Sequence, residues 1–403
     1  MTRKLLYDVA VVGGGPAGLY AATRLAQRGF GVVLFEEHRV VGEPVHCTGL
    51  IATETYEQFD IPKDSVLNEL RVARFYPPSG QMIEYATDRA EALVIDRGLF
   101  DRRLYDRACD SGVHVLLGAR VLDVVPGAAA VHVYQVDREP VRARVCVLAG
   151  GANYSLHRRL GLGMPQVFLQ SAQAEVGATR RGHVEVHFGD RIAPKGFAWA
   201  VPVQSAGTMR VRVGLMCDSD VASHFERFLG RIAPRRGLVT LHPDSRPVVP
   251  RLKMLPLAPI PRTFAHRLVA IGDAAGLVKA TTGGGVYYSL VSAGLAADLL
   301  ATALSRNELG QTSLGRYEAA WRKRLGPELE AQLALRSIAQ RMNDEEIESL
   351  FELARHDGVM PIVRRTARFN RHREFIISLL RHPPVRQILL RRLLGRHAHR
   401  STC

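Results

Sequence analysis

The stretch Val9-Ala10-Val11-Val12-Gly13-Gly14-Gly15-Pro16-Ala17-Gly18, near the start of the 403-residue chain, decides the fold. Its first four residues are the short apolar run of a buried parallel strand, and Ala17–Gln27 repeats apolar or small residues at a helical period. In such a GxGxxG turn the first glycine permits the tight bend, the second lets the backbone approach a pyrophosphate, and the third lets the helix pack on the strand. The three glycines are Gly13, Gly15 and Gly18. Dinucleotide phosphates are therefore expected at the N-terminus of this helix.

Two acidic positions indicate where the sugars of such a dinucleotide would lie. Val32–Phe35 is the next apolar strand, and Glu36 stands at its end, where a carboxylate accepts hydrogen bonds from ribose hydroxyls. Much later in the chain, an apolar strand at 268–271 runs into Gly272 and Asp273. Taken alone, Asp273 would serve equally well as a helix cap. Together with the N-terminal fingerprint it predicts a dinucleotide that stretches across the domain, which favours FAD over NAD.

Composition and charge narrow the class of protein. The chain carries 54 Lys+Arg against 39 Asp+Glu, a net charge of +15, which indicates anionic partners. Its five cysteines, at positions 47, 109, 146, 217 and 403, include no CxxC pair. This argues against an iron–sulfur cluster or a disulfide framework, predicts no metal site and favours a reducing, cytoplasmic compartment. Tyr287–Ser305 is apolar apart from Asp298 and follows a glycine-rich turn, so it is predicted as a buried helix and not as a membrane span.

The order of the predicted elements indicates an α/β protein of the glutathione-reductase type. It would comprise a Rossmann-like FAD-binding domain, an inserted β-rich substrate domain and a C-terminal helical region. The FAD-binding domain is built from roughly residues 1–50, 91–160 and 263–305, the insertion from 51–90 and 161–262, and the basic helical region from 306–403. No second GxGxxG lies between a strand and a helix, so no separate NADPH domain is predicted. An external electron donor, NADPH or a ferredoxin-like protein, is expected.

Four motifs in this order resemble the geranylgeranyl reductase family, whose members share the fold of para-hydroxybenzoate hydroxylase. They are GGGPAG at 13–18, GEPVHCTG at 42–49, GDAAG at 272–276 and TGGG at 282–285. The resemblance extends over about residues 5–305. Members of the family use FAD to hydrogenate carbon–carbon double bonds of polyprenyl chains in archaeal lipids, chlorophyll side chains and quinone tails. The resemblance implies the same cofactor and the same class of reaction here.

The resemblance also implies a role for each motif residue. Arg97 would contact the flavin side of the dinucleotide, and Gly272 and Asp273 its ribityl or ribose linker. Backbone N–H groups of the loop formed by Thr282, Gly283, Gly284 and Gly285 would lie near the pyrimidine end of the flavin and stabilise its anionic reduced form. The ADP half of FAD would be held by Gly13, Gly15, Pro16, Ala17, Gly18, Glu36 and Glu37.

The candidate catalytic residues are Cys47 and His46, chosen for their place in the second motif. Cys47 would lie close to the flavin on the side where substrate enters, although by composition alone it is a small buried hydrophobe. Hydroxylases of this fold usually carry an Asp in the loop that follows the strand near 148. Here the loop is Ala149-Gly150-Gly151, which disfavours a monooxygenase.

The candidate substrate-binding residues are Phe197, Trp199 and Pro202. They belong to a segment that resembles the aromatic-x-Trp-x-aromatic-Pro strand of the family, with Val201 where an aromatic residue is common. Phe197 and Trp199 fall on one face of a strand and would line an apolar tunnel for an isoprenoid. The same spacing also suits two aromatic residues in an ordinary sheet core.

The C-terminal region concentrates positive charge, since residues 351–403 contain twelve Arg, no Lys and three acidic residues. Two helices with apolar faces are predicted on either side of Pro383-Pro384. A basic amphipathic pair suits an anionic membrane surface, and it suits a solvated cap on the FAD domain equally well. Nucleic-acid binding is disfavoured, because the region has no recognisable module and few aromatic residues. The apolar positions are Phe375, Ile376, Leu379, Leu380, Val385, Ile388, Leu389 and Leu393, and the flanking arginines are Arg381, Arg386, Arg391, Arg392 and Arg396.

The sequence thus predicts a FAD-dependent oxidoreductase that reduces carbon–carbon double bonds of a polyprenyl, geranylgeranyl-type chain. The expected partners are a small isoprenoid or lipid substrate and an external electron donor. The expected location is the cytoplasm, as a peripheral protein on the inner face of the membrane. Two alternatives stay open at this point: a flavin monooxygenase or halogenase, and a flavoprotein cyclase without net electron transfer.

Overall fold

The computed structural model describes residues 6–205, 207–240, 247–356 and 358–394. Its strands are β1 Leu6–Val12, β2 Val32–Phe35, β3 Leu50–Ala52, β4 Val66–Leu70, β5 Val72–Tyr76, β6 Ile83–Ala86, β7 Ala92–Ile95, β8 His114–Leu116, β9 Val121–Pro126, β10 Val131–Gln135, β11 Arg138–Leu148, β12 Phe168–Ala178, β13 Val184–His187, β14 Phe197–Ser205, β15 Thr208–Cys217, β16 Leu238–Val239, β17 Arg251–Pro256, β18 Phe264–Ala265 and β19 Leu268–Ala270. Its helices are α1 Pro16–Ala26, α2 Thr53–Phe59, α3 Arg97–Asp110, α4 Val221–Arg236, α5 Val286–Ser305, α6 Gln311–Ala339, α7 Asp344–His356, α8 Val359–Thr366, α9 Arg373–Arg381 and α10 Pro383–Leu394. Short 3-10 helices occupy Lys63–Ser65 and Gly272–Ala275. The expected mixed α/β fold with a helical C-terminal region is confirmed.

The first sheet carries the N-terminal fingerprint at its centre. Its main order is β18-β19-β11-β1-β2-β8, with β1 parallel to both β2 and β11. Val9, Ala10 and Val11 are fully buried, as expected for a strand at the centre of a parallel sheet. A Cβ on Gly18 would overlap the carbonyl oxygen of Gly13, so only glycine lets α1 lie this close to the turn after β1.

Helix α5 is the one described helix that is long and apolar enough to cross a membrane. In the fold, 61% of its most apolar stretch is buried, and it packs against α1, α6 and β3. Its single acidic residue, Asp298, forms salt bridges with Arg24 (3.0 Å) and Arg28 at the surface end of α1. The expectation of a buried helix at this position is confirmed.

The second sheet has the order β16-β12-β15-β14-β13-β5-β6, with β17 paired to β12 at one side. Side chains alternate between its two faces along each strand. One face packs against α4 through Phe225, Phe228 and Ile232, which are almost completely buried. The other face turns towards the first sheet and forms one wall of a large cavity.

A third sheet, of order β3-β7-β4, was not expected from the sequence. Its strands are short, and a four-residue apolar run such as Ala92–Ile95 is ambiguous by periodicity alone. With α2 it packs Ile51, Tyr56 and Phe59 into the core of the first sheet. Residues 51–61, predicted as part of the insertion, therefore pack on the nucleotide side, while the domain boundaries themselves stay predictions.

The C-terminal helices are part of the folded core and not a polar appendage. In α6, Tyr317 and Trp321 are buried, and their polar atoms donate to the Ala270 carbonyl (3.0 Å) and to Thr263 Oγ1 (2.9 Å). Helices α9 and α10 meet at His382, as the Pro383-Pro384 pair predicted. Helices α7 to α10 bury a small apolar core of their own between them.

Candidate cofactor and substrate site

The three sheets and the C-terminal helices enclose a cavity of about 1060 Å³. Single-ligand sites in proteins usually measure about 300–1,000 Å³, so this cavity has room for a cofactor and a second molecule. Most of the residues predicted from the sequence line it, although they come from distant parts of the chain. They are Gly13, Gly15, Pro16, Ala17, Glu36, Glu37, His46, Cys47, Arg97, Phe197, Trp199, Asp273, Thr282, Gly283, Gly284 and Gly285.

The end of the cavity beside β1, β2 and α1 is shaped for a dinucleotide. A Cβ placed on Gly15, Gly150 or Gly151 would have no protein atom within 4 Å, so the backbone there is open to a ligand that approaches closely. No side chain caps the N-terminus of α1, which leaves its first N–H groups available to a phosphate. This cradle fits the pyrophosphate of FAD. The residues that would hold it are Gly15, Pro16 and Ala17.

Glu36 is fixed at the end of β2 by three hydrogen bonds. Its Oε2 accepts from the Gly14 N–H (2.7 Å), and its Oε1 accepts from the backbone N–H of His38 (2.9 Å) and contacts His38 Nδ1 (2.6 Å). His38 already directs two donors at Oε1, whereas among the described residues Oε2 accepts only one hydrogen bond and keeps a lone pair for a ribose hydroxyl. Glu37 also lines the cavity and lies 3.9 Å from Arg120.

Gly18 and Gly272 were predicted to contact the cofactor, but neither lines the cavity. Gly18 is needed for the close packing of α1. Gly272 adopts a positive φ of 60° and donates its N–H to Ser292 Oγ (3.0 Å). A side chain would not fit at this position, because its Cβ would lie 2.8 Å from Ser289 Oγ. Both glycines act through packing, and the Gly272 turn presents Asp273 to the cavity.

Arg97 and Cys47 both line the cavity and lie close to each other. Arg97 forms a salt bridge with Asp101 one turn along α3 (2.9 Å), and the side chain of Cys47 lies near enough to act on it electrostatically. Burial opposes the charge of Arg97, but Asp101 and Cys47 outweigh it and raise the pKa of the guanidinium. Cys47 Sγ additionally accepts the Gly49 N–H (3.3 Å). Cys47 is therefore a half-buried cavity residue beside a fixed cation, and a catalytic role for it stays a prediction.

His46 lies at a basic edge of the cavity. Burial lowers its pKa, and the charges of Lys253, Arg251 and His38 lower it further. Lys253 also lines the cavity, and Arg251 donates to the carbonyl of Val45 (3.2 Å). At neutral pH this environment favours the neutral imidazole, which is a weaker proton donor than the imidazolium.

The far end of the cavity is apolar and is formed by one face of the second sheet. Phe197 and Trp199 lie there with their ring centres 5.7 Å apart, and Val201 follows on the same face. Pro202 points to the opposite face and does not line the cavity, so its predicted contact with substrate is not supported. Strand alternation explains the difference, because residues 197, 199 and 201 share one face and residue 202 the other. The remaining apolar wall includes Leu70, Val72, Phe75, Val184, Val186, Phe188 and Leu255.

Sequence reasoning missed the C-terminal segment that closes this cavity. Residues 367–370, His372, Phe375 and Ile376 line it, and Lys279 joins them from the loop before Thr282. The sequence left the helix with Phe375 and Ile376 open between a membrane surface and a cap on the FAD domain. Ile376 is 2% exposed, and both residues line the cavity. The signal available in the sequence was Lys279, a cation three residues before the TGGG motif.

The other apolar residues of the tail are also used inside the protein. Val385 and Leu389 are buried against Val359, and Leu379 and Leu380 pack beside them. This packing corresponds to the cap that the sequence left as an alternative to membrane adsorption. Arg381 and Arg386 are exposed on its surface. The side chains of Arg391, Arg392 and Leu393, and the whole of Arg396, lie outside the described residues.

Comparisons with known proteins agree with this geometry. The family profile described as pyridine nucleotide-disulphide oxidoreductase matches residues 7–190. The chain is 27% identical to digeranylgeranylglycerophospholipid reductase of Methanocaldococcus jannaschii, over 86% of this chain and 90% of the relative. It is 29% identical to digeranylgeranylglycerophospholipid reductase 2 of Methanothermobacter thermautotrophicus, over 85% and 90%.

A solved structure shares the whole architecture. The geranylgeranyl bacteriochlorophyll reductase-like protein of Thermoplasma acidophilum superimposes with a TM-score of 0.80 at 21% identity, over 96% of this chain and 99% of that one. The likeness thus includes the second sheet and the C-terminal helices as well as the dinucleotide cradle. Because the sequence similarity also runs through most of the chain, the comparisons support the geranylgeranyl reductase family of FAD-dependent oxidoreductases as the family of this protein.

Proposed function

We propose that this protein hydrogenates carbon–carbon double bonds of a polyprenyl chain carried by a lipid. The observation that carries the proposal is the apolar half of the cavity, which lies beside the dinucleotide cradle and is walled by Phe197, Trp199 and neighbouring aliphatic side chains. An isoprenoid has no polar group along its chain, so it requires a long pocket that offers apolar contacts and no unpaired polar atoms. The relatives whose names specify a digeranylgeranylglycerophospholipid substrate support this class.

FAD, when bound and reduced, would supply a hydride, which is one proton with two electrons, to one carbon of the double bond. The chain itself provides three functions around that event. Gly15 and the N-terminus of α1 hold the pyrophosphate, the Thr282–Gly285 loop brings its backbone close to the flavin, and the apolar wall excludes water. The second carbon needs a proton. Cys47 is the stronger of the two candidate donors, because the surroundings of His46 keep its imidazole neutral at neutral pH.

We also propose the partners of the reaction. The electron donor is external, either NADPH or a ferredoxin-like protein, and the basic cavity edge at His46, Arg251 and Lys253 suits the negative charge of both. The lipid substrate requires access to a membrane. Because Ile376 of α9 and Val385 and Leu389 of α10 are buried, adsorption to an anionic inner leaflet would depend on exposed arginines such as Arg381 and Arg386.

The test uses the full-length protein reconstituted with FAD and reduced with dithionite without oxygen. A digeranylgeranyl glycerophospholipid is added in detergent, and its mass is followed. A gain of two hydrogens for each reduced bond supports the proposal, and an unchanged lipid with fully reduced FAD contradicts it. A product of unchanged mass but altered retention would indicate a cyclase. Oxygen-dependent consumption of NADPH stimulated by substrate would indicate a monooxygenase or halogenase.

A further inference from the structure

Lys279 is a buried cation placed directly behind the loop that faces the flavin. Its side chain is 4% exposed and lines the cavity. Its carbonyl accepts the Gly283 N–H (2.8 Å), and its own N–H donates to the Gly284 carbonyl (3.1 Å), so the loop folds around this residue. A Cβ on Gly284 would lie 2.9 Å from Lys279 Cε and 3.4 Å from Nζ. The ammonium group therefore lies against the backbone of the Thr282–Gly285 loop, which lines the cavity.

All of the hydrogen-bond partners that the structure assigns to this ammonium are neutral. Nζ donates to the Phe369 carbonyl (2.9 Å) and to Asn370 Oδ1 (3.2 Å), and it lies 4.3 Å from the centre of the Phe369 ring. Among the described residues, no carboxylate lies within salt-bridge distance of Nζ. Glu54 is near enough to act on Lys279 electrostatically, but it is already paired with Arg371 (3.0 Å). Burial without a paired charge lowers the pKa of Lys279 to about 7.

Two neighbours of Lys279, His372 and Arg336, add no negative charge to its surroundings. His372 contacts Thr281 Oγ1 (2.8 Å), and burial together with the charge of Lys279 lowers the pKa of its imidazole to about 4, so it is neutral at neutral pH. Arg336 approaches the same loop from α6 and donates to the Ala280 carbonyl (2.9 Å), and it is 7% exposed. Two buried basic side chains thus back one cavity-lining loop, and a negative charge that entered the cavity would favour the protonated form of Lys279. An unpaired buried charge is costly unless an opposite charge arrives.

We propose that Lys279 is the counter-ion of the reduced flavin. Addition of two electrons and one proton to the oxidised ring leaves one negative charge on it, and a nearby cation in a poorly hydrated site stabilises that charge strongly. Lys279 would therefore raise the reduction potential of bound FAD and favour acceptance of electrons from the external donor. The inference rests on FAD binding in this cavity and not on the prenyl substrate. Failure of the lipid assay therefore leaves it standing.

The test is the equilibrium reduction potential of the FAD-loaded, full-length protein, measured against a reference dye with dithionite as the reductant. Lys279→Gln removes the charge but keeps an N–H donor for Phe369 and Asn370. It should lower the ratio of reduced to oxidised flavin at a fixed dye potential at least tenfold, which is about 30 mV for a two-electron couple. Lys279→Arg keeps the charge and should stay within threefold of the native ratio.

Lys323→Gln is the matched control, because it removes the same charge from an exposed residue that does not line the cavity. It should leave the potential unchanged. Equal shifts in Lys323→Gln and Lys279→Gln, or no shift in Lys279→Gln, would overturn the proposal. One further measurement needs no variant. The potential of FAD in the native protein must lie above that of free FAD in the same buffer, and a value at or below it also overturns the proposal.

Discussion

The most direct test of the cofactor cradle is to add a single methyl group at Gly15. This residue has an extended backbone with φ of −80°, which alanine adopts without strain. A Cβ there would meet no protein atom within 4 Å, because the position faces the open cavity. Gly15→Ala should therefore leave the apoprotein as stable as before. The methyl group would instead occupy the space through which a pyrophosphate reaches the backbone.

The size of the effect follows from the contact that is lost. Displacement of one phosphate from a backbone N–H removes a hydrogen bond to a charged group, which contributes about 1.5–3 kcal/mol. FAD should accordingly bind roughly 10- to 150-fold more weakly to Gly15→Ala. The assay is the dissociation constant of FAD, measured by quenching of its fluorescence on titration with apoprotein. Thermal unfolding of the same apoprotein samples provides the second readout.

Gly13→Ala is the matched comparison, because the two glycines lie in the same turn but face opposite environments. Gly13 has φ of 111°, and a Cβ there would overlap the Ala149 carbonyl oxygen. This variant should lose apoprotein stability by about 1–3 kcal/mol from backbone strain alone. Native FAD affinity in Gly15→Ala would refute the placement of the pyrophosphate. Equal destabilisation of both apoproteins would refute the reasoning about open space.

Three further perturbations test other parts of the structure. Phe197→Ala and Trp199→Ala should each raise the KM for a prenyl substrate about tenfold, because each loses about 1.5 kcal/mol of apolar contact. The FAD dissociation constant should stay native, and a change in it would contradict the division of the cavity into a cofactor end and an apolar substrate end. Trp321→Phe removes the hydrogen bond to Thr263 and should lower the free energy of unfolding in urea by about 1–3 kcal/mol. An unchanged midpoint of the urea transition would show that this bond is dispensable. Burial opposes the charge of Glu185, but His187 and two arginines outweigh burial and lower its pKa to about 2. The pKa of Glu185 in the folded state lies below its pKa in the unfolded state, so its stabilisation is complete above about pH 4.5 and is lost as pH falls towards 2. This stabilisation amounts to about 3 kcal/mol. Glu185→Gln should abolish this part of the acid dependence of urea unfolding.

The cofactor-binding half of the molecule could be predicted from sequence because its determinants are local. Gly13, Gly15 and Glu36 act within one strand–turn–helix–strand unit, where backbone conformation and apolar period leave few alternatives. The burial of α5 could also be predicted from the sequence, because an apolar segment that follows a glycine-rich turn and carries one acidic residue suits a core helix. The short strands of the third sheet could not be predicted from the sequence, because three or four apolar residues fit a strand and a helix segment equally well.

The composition of the site beyond the cradle was decided by tertiary structure. An apolar period shows that a face is buried, but it does not show what buries it. Phe375 and Ile376 therefore suited a membrane as well as the cavity that they line. The direction of a side chain depends on strand register, which placed Pro202 outside the cavity and Val201 inside it. Lys279 meets Phe369 and Asn370 some ninety residues further along the chain.

By itself, the sequence determined that this chain forms a dinucleotide fold with FAD at its N-terminal fingerprint, because glycine geometry and strand burial act over neighbouring residues. Only the tertiary structure decided that the basic C-terminal region closes the active cavity and that a buried lysine stands behind the flavin loop. Both depend on contacts between distant segments. Such contacts are set by the packing of whole elements, which no local pattern encodes.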